Sequence, residues 1–352
     1  MTVGDLGEFG LIAAISARLP RGGRTVVGIG DDAAVLATPD GRVVATMDLL
    51  VEARHFRRDW SGPADIGAKA AARNLADVAA MGAVPVALLV GLAAPGDLAV
   101  AWTQDFVAGM AAECARTGAT VVGGDVSSAD TIMLAVAALG DLAGREPVTR
   151  AGARPGDLLA VAGVLGHSAA GQALLAAGLA GPAALVAEHR RPRPPYQAGP
   201  EAAALGATSM IDVSDGLVAD TGHVAEASGV LIDIDTARLA PGGDLLSAAA
   251  RLGASGPGGP ADLAGSRDLA GSRDLAGSGD LGGPGDPVEP AGLARPLVWM
   301  LAGGEDHALA ATFPSGTALP AHWTVIGQVL QGRGVRVNGQ VFLGQAGWDH
   351  FI

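Results

Sequence analysis

Gly28-Ile29-Gly30-Asp31-Asp32-Ala33-Ala34 follows the apolar run Thr25-Val26-Val27, and its reading decides the fold. Aspartate is a poor strand residue, so an apolar run ending in Gly-Asp-Asp reads as a strand that delivers a loop of negative charge. Comparable settings recur. Asp48 lies in the β run 42–51, and Asp77 on a helical stripe with Ala70, Asn74 and Met81. Asp125 follows Gly123-Gly124, while Asp212 and Asp215 flank Val213-Ser214. The rest of the chain reads as a scaffold for this set.

Outward from that stretch, the hydrophobic period alternates between 2 and 3.6. A helix is expected over 8–19, strands over 25–28 and 42–51, and a helix over 64–81 opened by Ser61-Gly62-Pro63. A strand over 85–94, a helix ending at Gly118, and strands over 119–122 and 131–139 complete a mixed α/β first half of ferredoxin-like flavour. Beyond Pro155-Gly156-Asp157 a second α/β unit is expected, with strands over 158–164, 209–213 and 230–234 separated by helices. It continues through a strand containing Leu301, a strand over 308–313 and a hairpin about Asn338-Gly339. The expectation is two domains, 1–150 and 151–352. Residues 253–296, where Asp-Leu-Ala-Gly-Ser recurs at Asp262, Asp268 and Asp274, read as a disordered insertion too poor in apolar side chains to fold alone.

Composition narrows the function. A chain of 352 residues accommodates two cores, and a net charge of −13 argues against a nucleic-acid binder. Cys114 is the single cysteine, which excludes a disulfide framework or zinc cluster. The start carries Asp5 and Glu8 and no basic n-region, so no signal peptide is expected. The longest apolar run, 83–94, is too short to span a bilayer, and a cytoplasmic protein without membrane contact follows.

Carboxylates gathered without cations repel, by about 4 kcal/mol for a pair some 4 Å apart at an effective dielectric near 20. Convergence of these aspartates therefore implies divalent cations between them. An all-oxygen donor set selects hard ions such as Mg²⁺, which characteristically bridge carboxylates to phosphates. The familiar phosphate cradles are missing: Lys69, the only lysine, sits in Gly67-Ala68-Lys69-Ala70, and Gly28 to Ala33 fits only the relaxed Gly-x-Gly-x-x-Ala spacing. Arg150 is the best single basic helper, and the backbone opening the helix at Ser214 to Gly216 could face an anion.

Together the motifs resemble the thiamine-monophosphate kinase family of the aminoimidazole-ribonucleotide-synthetase-like superfamily. The resemblance is carried by Gly28-Ile29-Gly30-Asp31-Asp32, Asp48 with His55-Phe56, Asn74-x-x-Asp77-x-x-Ala80-Met81-Gly82, Gly123-Gly124-Asp125, Thr149-Arg150, Asp212-Val213-Ser214-Asp215-Gly216, Gly303-Gly304-Glu305-Asp306 and the terminal Trp348-Asp349-His350-Phe351. It implies a two-domain α/β (α+β) fold with an N-terminal mixed-sheet dimerisation domain and a C-terminal α/β domain. It also implies a homodimer, and ATP- and Mg²⁺-dependent phosphorylation of thiamine monophosphate to thiamine diphosphate. By motif, Asp32, Thr46, Asp48, Asp77, Asp125, Asp212 and Asp215 match ligands of several Mg²⁺ ions, with Asp48, Asp125 and Asp212 nearest the chemistry. Gly124, Arg150 and Ser214 match nucleotide contacts, and His55, Glu305 and Trp348 match substrate contacts. Asp31 is read as holding its loop. Two departures stand out: Met47 replaces a hydroxyl residue beside Asp48, and His307 replaces a more usual tyrosine. Rival readings are another ATP-dependent synthetase of the superfamily, or a non-catalytic nucleotide- or metal-binding protein.

Overall fold

Thr2 begins the first helix by exchanging two hydrogen bonds with Asp5: its Oγ1 accepts from the Asp5 amide, and the Asp5 carboxylate accepts from the Thr2 amide. This capping box satisfies two helix-end donors, so α1 (Val3–Ser16) starts earlier than the apolar pattern alone indicates. The computed structural model describes residues 1–20, 22–27, 35–254 and 293–342. Asp31, Asp32, Trp348 and residues 255–292 of the expected insertion lie outside the described residues.

A short antiparallel pair, β1 (Thr25–Val27) and β2 (Val35–Leu36), precedes the first large sheet. That sheet is built from β3 (Val44–Val51), β4 (Val84–Ala94), β5 (Thr120–Ser128) and β6 (Met133–Asp141), in the spatial order β3-β6-β4-β5 with only β4 and β5 parallel. Two helices, α2 (Pro63–Ala80) and α3 (Val100–Ala115), connect β3 to β4 and β4 to β5. Both helices thus precede the third strand, and the ferredoxin-like order is not the one adopted. Gly67 and Gly109 let α2 and α3 touch backbone to backbone, since a Cβ on either would stand 2.0 Å from the carbonyl oxygen of Phe106 or Ala64. The helix pair covers one face of the sheet over Leu50, Leu88, Leu134 and Val136. Among the described residues the other face is bare: Met47, Leu49, Leu89 and Met133 are 62, 49, 37 and 40 % exposed.

The chain then enters a seven-stranded sheet. Its elements are β7 (Leu158–Ala162), α4 (His167–Ala176), α5 (Ala183–Arg190), α6 (Ala198–Ala204), β8 (Ser209–Val213), α7 (Leu217–Ser228), β9 (Leu231–Ile234) and α8 (Gly243–Ala254). After residues 255–292 come α9 (Arg295–Ala302), β10 (Ala308–Phe313), β11 (Trp323–Leu330), β12 (Gly334–Val337) and β13 (Gln340–Val341). The strand order is β13-β12-β9-β11-β7-β10-β8. β10 is buried along its whole length. Its Leu309, Ala311 and Phe313 join the core of the first sheet, while Ala308 and Ala310 join a second core with Leu174, Leu217 and Trp299. A strand covered on both faces reads as an unbroken apolar run, as this one does.

Three expectations are corrected. Leu301 lies on α9, not on a strand, because an apolar run of that length fits either element and Pro296 starts it as a helix. Gly123-Gly124-Asp125 lies inside β5, not beyond its end. The outermost residues of the expected insertion 253–296 are helical, since α8 runs to Ala254 and α9 starts at Arg295. The Asn338-Gly339 turn forms as expected, with φ of 53° and 74°, both positive as a two-residue primed turn requires.

Candidate active site

The carboxylates converge because α2 lies across the β3 edge of the first sheet. Strand alternation sends Thr46, Asp48 and Leu50 toward α2, and Met47 and Leu49 to the bare face. The side chain at the departing position 47 therefore points away from the acidic group. Thr46 Oγ1 donates to Asp77 Oδ2 at 2.8 Å. Asn74, fully buried, accepts from the Asp48 amide at 3.1 Å and donates to the Ala70 carbonyl at 3.0 Å. The Ala70, Asn74, Asp77 stripe is thus a polar seam against β3. Burial, then the neighbouring charges of Asp212 and Asp48, push the Asp77 carboxyl up to about 8.

The second sheet supplies the opposite wall. Asp212 sits near the end of β8, and the segment after α9 runs beside it, with the Glu305 amide donating to the Ser214 carbonyl (2.7 Å) and the His307 amide to the Val213 carbonyl (2.8 Å). Gly304 passes so close that a Cβ would lie 2.7 Å from the Ser214 oxygen. Glu305 and His307 both hold left-handed backbone, φ 63° and 51°, a strain of about 1–3 kcal/mol each that the surrounding bonds must offset. Glu305 reaches back to α2, where Lys69 Nζ (2.7 Å) and Arg73 Nη1 (3.2 Å) hold its two oxygens. Arg73 also approaches Asp48 Oδ2 at 3.4 Å. Burial opposes ionisation of Glu305, but the adjacent Lys69, His189 and Arg73 hold its carboxyl far below the ordinary carboxylate range. His189 itself is driven down to about 3 by burial and then by Lys69, so at neutral pH the cations Lys69 and Arg73 carry that effect. Burial likewise opposes the Arg73 charge, and Glu305 and Asp48 outweigh it, keeping the guanidinium pKa above its usual value.

Two buried acids brace these loops. Asp220, pushed well up by burial and by Asp212 and Asp215, accepts from the Asp215 and Gly216 amides at 3.1 and 3.0 Å. Asp306 accepts from the Gly166 and Ser168 amides at 2.5 and 2.9 Å, at the start of α4. His307 Nδ1 stands 3.2 Å from Asp212 Oδ2, and its Nε2 is buried with no partner among the described residues. Burial pushes the Asp306 carboxyl to about 8. A folded-state value above the unfolded one means stability is full below the unfolded value of 3.8 and falls as pH rises toward 8. In urea titrations the wild type is therefore expected to exceed Asp306→Asn in stability at pH 5, and its advantage to shrink by about 1 kcal/mol or more by pH 8. A pH-independent difference would contradict this placement.

The structure thus gathers Thr46, Asp48, Asp77, Asp212 and Glu305, with Asp215 beside them through Asp220. It does not bring Asp125 to them within one chain. Register pairs Asp125 with Gly91, Ala135 and Leu49, on the bare face, at the far edge of the sheet. Three strand spacings separate it from β3, about 14 Å. Gly124, next to it, is fixed by contact, since a Cβ there would stand 1.9 Å from the Val90 oxygen. Arg150 is exposed, and its carbonyl accepts from Ser228 Oγ at 3.0 Å. Ser214 lies in the loop that receives Glu305. His55 turns back on β3, its Nδ1 accepting from the Val51 amide at 3.0 Å. Sequence reading missed Lys69, Arg73, His189 and Asp220. A signal was present for the first two: Lys69, Arg73 and Asp77 recur every fourth residue on one helical face.

Among the described residues no three His, Cys, Asp or Glu side chains form a ready-made metal cage. The donor set nevertheless fits a hard cation that retains water and shares its coordination with phosphate. Three carboxylates lie close enough for two of them to raise the third, a repulsion that a cation would relieve.

Residues 30–142 match the family model described as AIR synthase related protein, N-terminal domain. Over 356 aligned residues the chain is 44 % identical to a thiamine-monophosphate kinase of Mycobacterium tuberculosis, covering 99 % of this chain and 93 % of that one. Its fold is similar to a crystal structure of thiamine-monophosphate kinase from Stenotrophomonas maltophilia K279a (TM-score 0.72, 29 % identity, 94 and 96 % of the two chains). It is equally similar to AaThiL complexed with AMPPCP and TMP (TM-score 0.72, 31 % identity, 100 and 99 % of the two chains). With the carboxylate seam and the Gly-Gly-Glu-Asp loop in place across essentially the full length of such relatives, the chain belongs to the thiamine-monophosphate kinase family.

Proposed function

We propose that this protein transfers the γ-phosphoryl group of ATP to the phosphate of thiamine monophosphate, giving thiamine diphosphate and ADP. The observation that carries the reading is the seam where Asp48, Asp77 and Asp212 face the Lys69–Glu305–Arg73 group across the two sheets. The full-length likeness to AaThiL complexed with AMPPCP and TMP supports it. Mg²⁺ ions held by Asp32, Thr46, Asp48, Asp77, Asp125, Asp212 and Asp215 would neutralise phosphate charge. Gly124, Arg150 and Ser214 are assigned to the nucleotide, and His55, Glu305 and Trp348 to thiamine monophosphate. The acceptor phosphate is already largely ionised at neutral pH, so no strong general base is needed and catalysis rests on positioning and charge. Glu305 stays ionised throughout the working range and offers a fixed acceptor, while Lys69 and Arg73 keep it in place. We assign 1–150 as the nucleotide-binding and dimerising unit and 151–352 as its partner, with a surface insertion between α8 and α9.

A homodimer accounts for both the bare sheet face and the stranded Asp125. Met47, Leu49, Leu89 and Met133 form an apolar surface that a second copy would cover. Asp48 and Asp125 occupy opposite edge strands, β3 and β5, so pairing two such sheets edge to edge would bring the β5 strand that carries Asp125 in one copy alongside the β3 strand that carries Asp48 in the other. Asp48→Asn and Asp125→Asn are each expected to be inactive. A heterodimer of the two, purified through separate tags, should regain about half the activity, because one of its two sites is intact. An inactive heterodimer would place both aspartates in one chain's site. Among the described residues no helix is long and apolar enough to cross a membrane, and we assign the enzyme to the cytoplasm.

A coupled assay of ADP release with ATP, Mg²⁺ and thiamine monophosphate tests the activity. Turnover with formylglycinamidine ribonucleotide instead would favour the synthetase reading, and ATP binding without turnover on any acceptor would favour a binding protein.

A further inference from the structure

Where the C-terminal ends of α3 and α5 meet the start of α2, the surface opens into a cleft of about 590 Å³ lined by Arg116, Arg190, Arg191 and Arg193. The chain carries 23 cationic and 36 acidic side chains, so four arginines around one opening run against its overall charge. The two acids in the lining, Asp65 and Glu113, are already engaged: Asp65 pairs with Arg191, and Glu113 pairs with Arg116 and accepts from the Tyr196 hydroxyl. Arg193 stands 3.7 Å from Glu188. Arg190 has no ion-pair partner among the described residues, and its Nε is buried without an acceptor. A buried, charged donor left unmade is unfavourable, and a ligand oxygen would relieve it.

We propose that this cleft is a second anion-binding site, taking a small molecule that carries a di- or triphosphate. Guanidinium forks match phosphoryl oxygens two at a time, and four arginines against the two acids of the lining leave an excess of two positive charges for an anion, with Arg190 the one that holds no ion pair among the described residues. The volume lies within the range of small-ligand pockets, and an apolar wall at Val186 and Pro192 leaves room for an organic portion. None of Gly124, Arg150 and Ser214 lines the cleft, so it is separate from the proposed nucleotide contacts. The last turn of α5 joins the two places, since His189 faces Glu305 while its neighbour Arg190 lines the cleft.

The test is calorimetric titration of the full chain with inorganic pyrophosphate in EDTA, using wild type, Arg190→Ala, Arg193→Ala and Asp212→Asn, each shown to be folded by its melting curve. Pyrophosphate is expected to bind wild type and Asp212→Asn alike, and to bind Arg190→Ala about tenfold or more weakly, with a smaller loss in Arg193→Ala. Absence of binding, equal binding by both arginine variants, or loss of binding in Asp212→Asn would each overturn the site. Competition in Asp212→Asn then identifies the organic portion. Displacement by ADP marks a nucleotide and displacement by thiamine diphosphate marks a thiamine phosphate, while displacement by neither overturns the organic ligand.

Discussion

Asp77→Asn is expected to make the ligand-free enzyme more heat-stable at pH 8 while lowering kcat by about a thousandfold. The two effects share one cause. Asp77 is buried against Asp48 and Asp212, and its carboxyl is pushed from 3.8 to about 8. The folded state therefore keeps a proton that the unfolded chain has released, and stability falls as pH rises from about 4 to about 8. Asparagine cannot ionise, removes that decline, and can still accept from Thr46 through its carbonyl oxygen. The gain should be near zero at pH 4 and reach on the order of a few kcal/mol by pH 8. Turnover moves the other way, because the seam needs anionic oxygens where phosphate charge must be balanced, and single charge-stabilising groups are worth about 10²–10³ in kcat. Melting curves between pH 5 and 9 in EDTA, beside the ADP-release assay, read both. Added Mg²⁺ should raise the wild-type melting temperature at pH 8 and leave Asp77→Asn nearly unmoved. Near-normal turnover, or no stabilisation at pH 8, would remove Asp77 from the site.

Much of this site was legible because its chemistry is local. A helix opened by Ser-Gly-Pro and the Asn74–Asp77 stripe are written in neighbouring residues, and the structure places Thr46, Asp48, Asp77, Asp212 and Glu305 together. What escaped depends on pairing between distant segments. Lys69 finds Glu305 across 236 residues and Arg73 finds it across 232, separations that periodicity does not report. His189 escaped because nothing beside it in sequence shows that Ser168 and Glu305 will surround it. Asp125 was legible as a carboxylate after two glycines, but its face depends on the register of β4 with β5, which shifts between Leu88 and Leu89. Leu301 was misread because an apolar run fits a buried helix as well as a strand.

Glu305→Gln should destabilise the enzyme by about 3–5 kcal/mol, the range for breaking a buried ion pair by removing one partner. Lys69 is 2 % exposed and its ammonium lies 2.7 Å from Glu305, so the substitution leaves a cation enclosed with only a neutral amide to face it. Arg73 suffers less, since Asp48 remains 3.4 Å from its Nε. Lys69→Met alone should be milder, because Arg73 still pairs with Glu305 at 3.2 Å. The double variant Lys69→Met/Glu305→Gln should be more stable than Glu305→Gln, with a coupling energy of about 2 kcal/mol, because it removes the orphaned charge as well as its partner. Urea titrations with a constant m-value would establish the cycle. The functional consequence separates structure from substrate contact. If Glu305 meets thiamine monophosphate directly, the double variant regains stability but keeps a raised KM for it. Recovery of both would make the glutamate a brace between α2 and the β8 loop, and additive energies would show that the charges act independently.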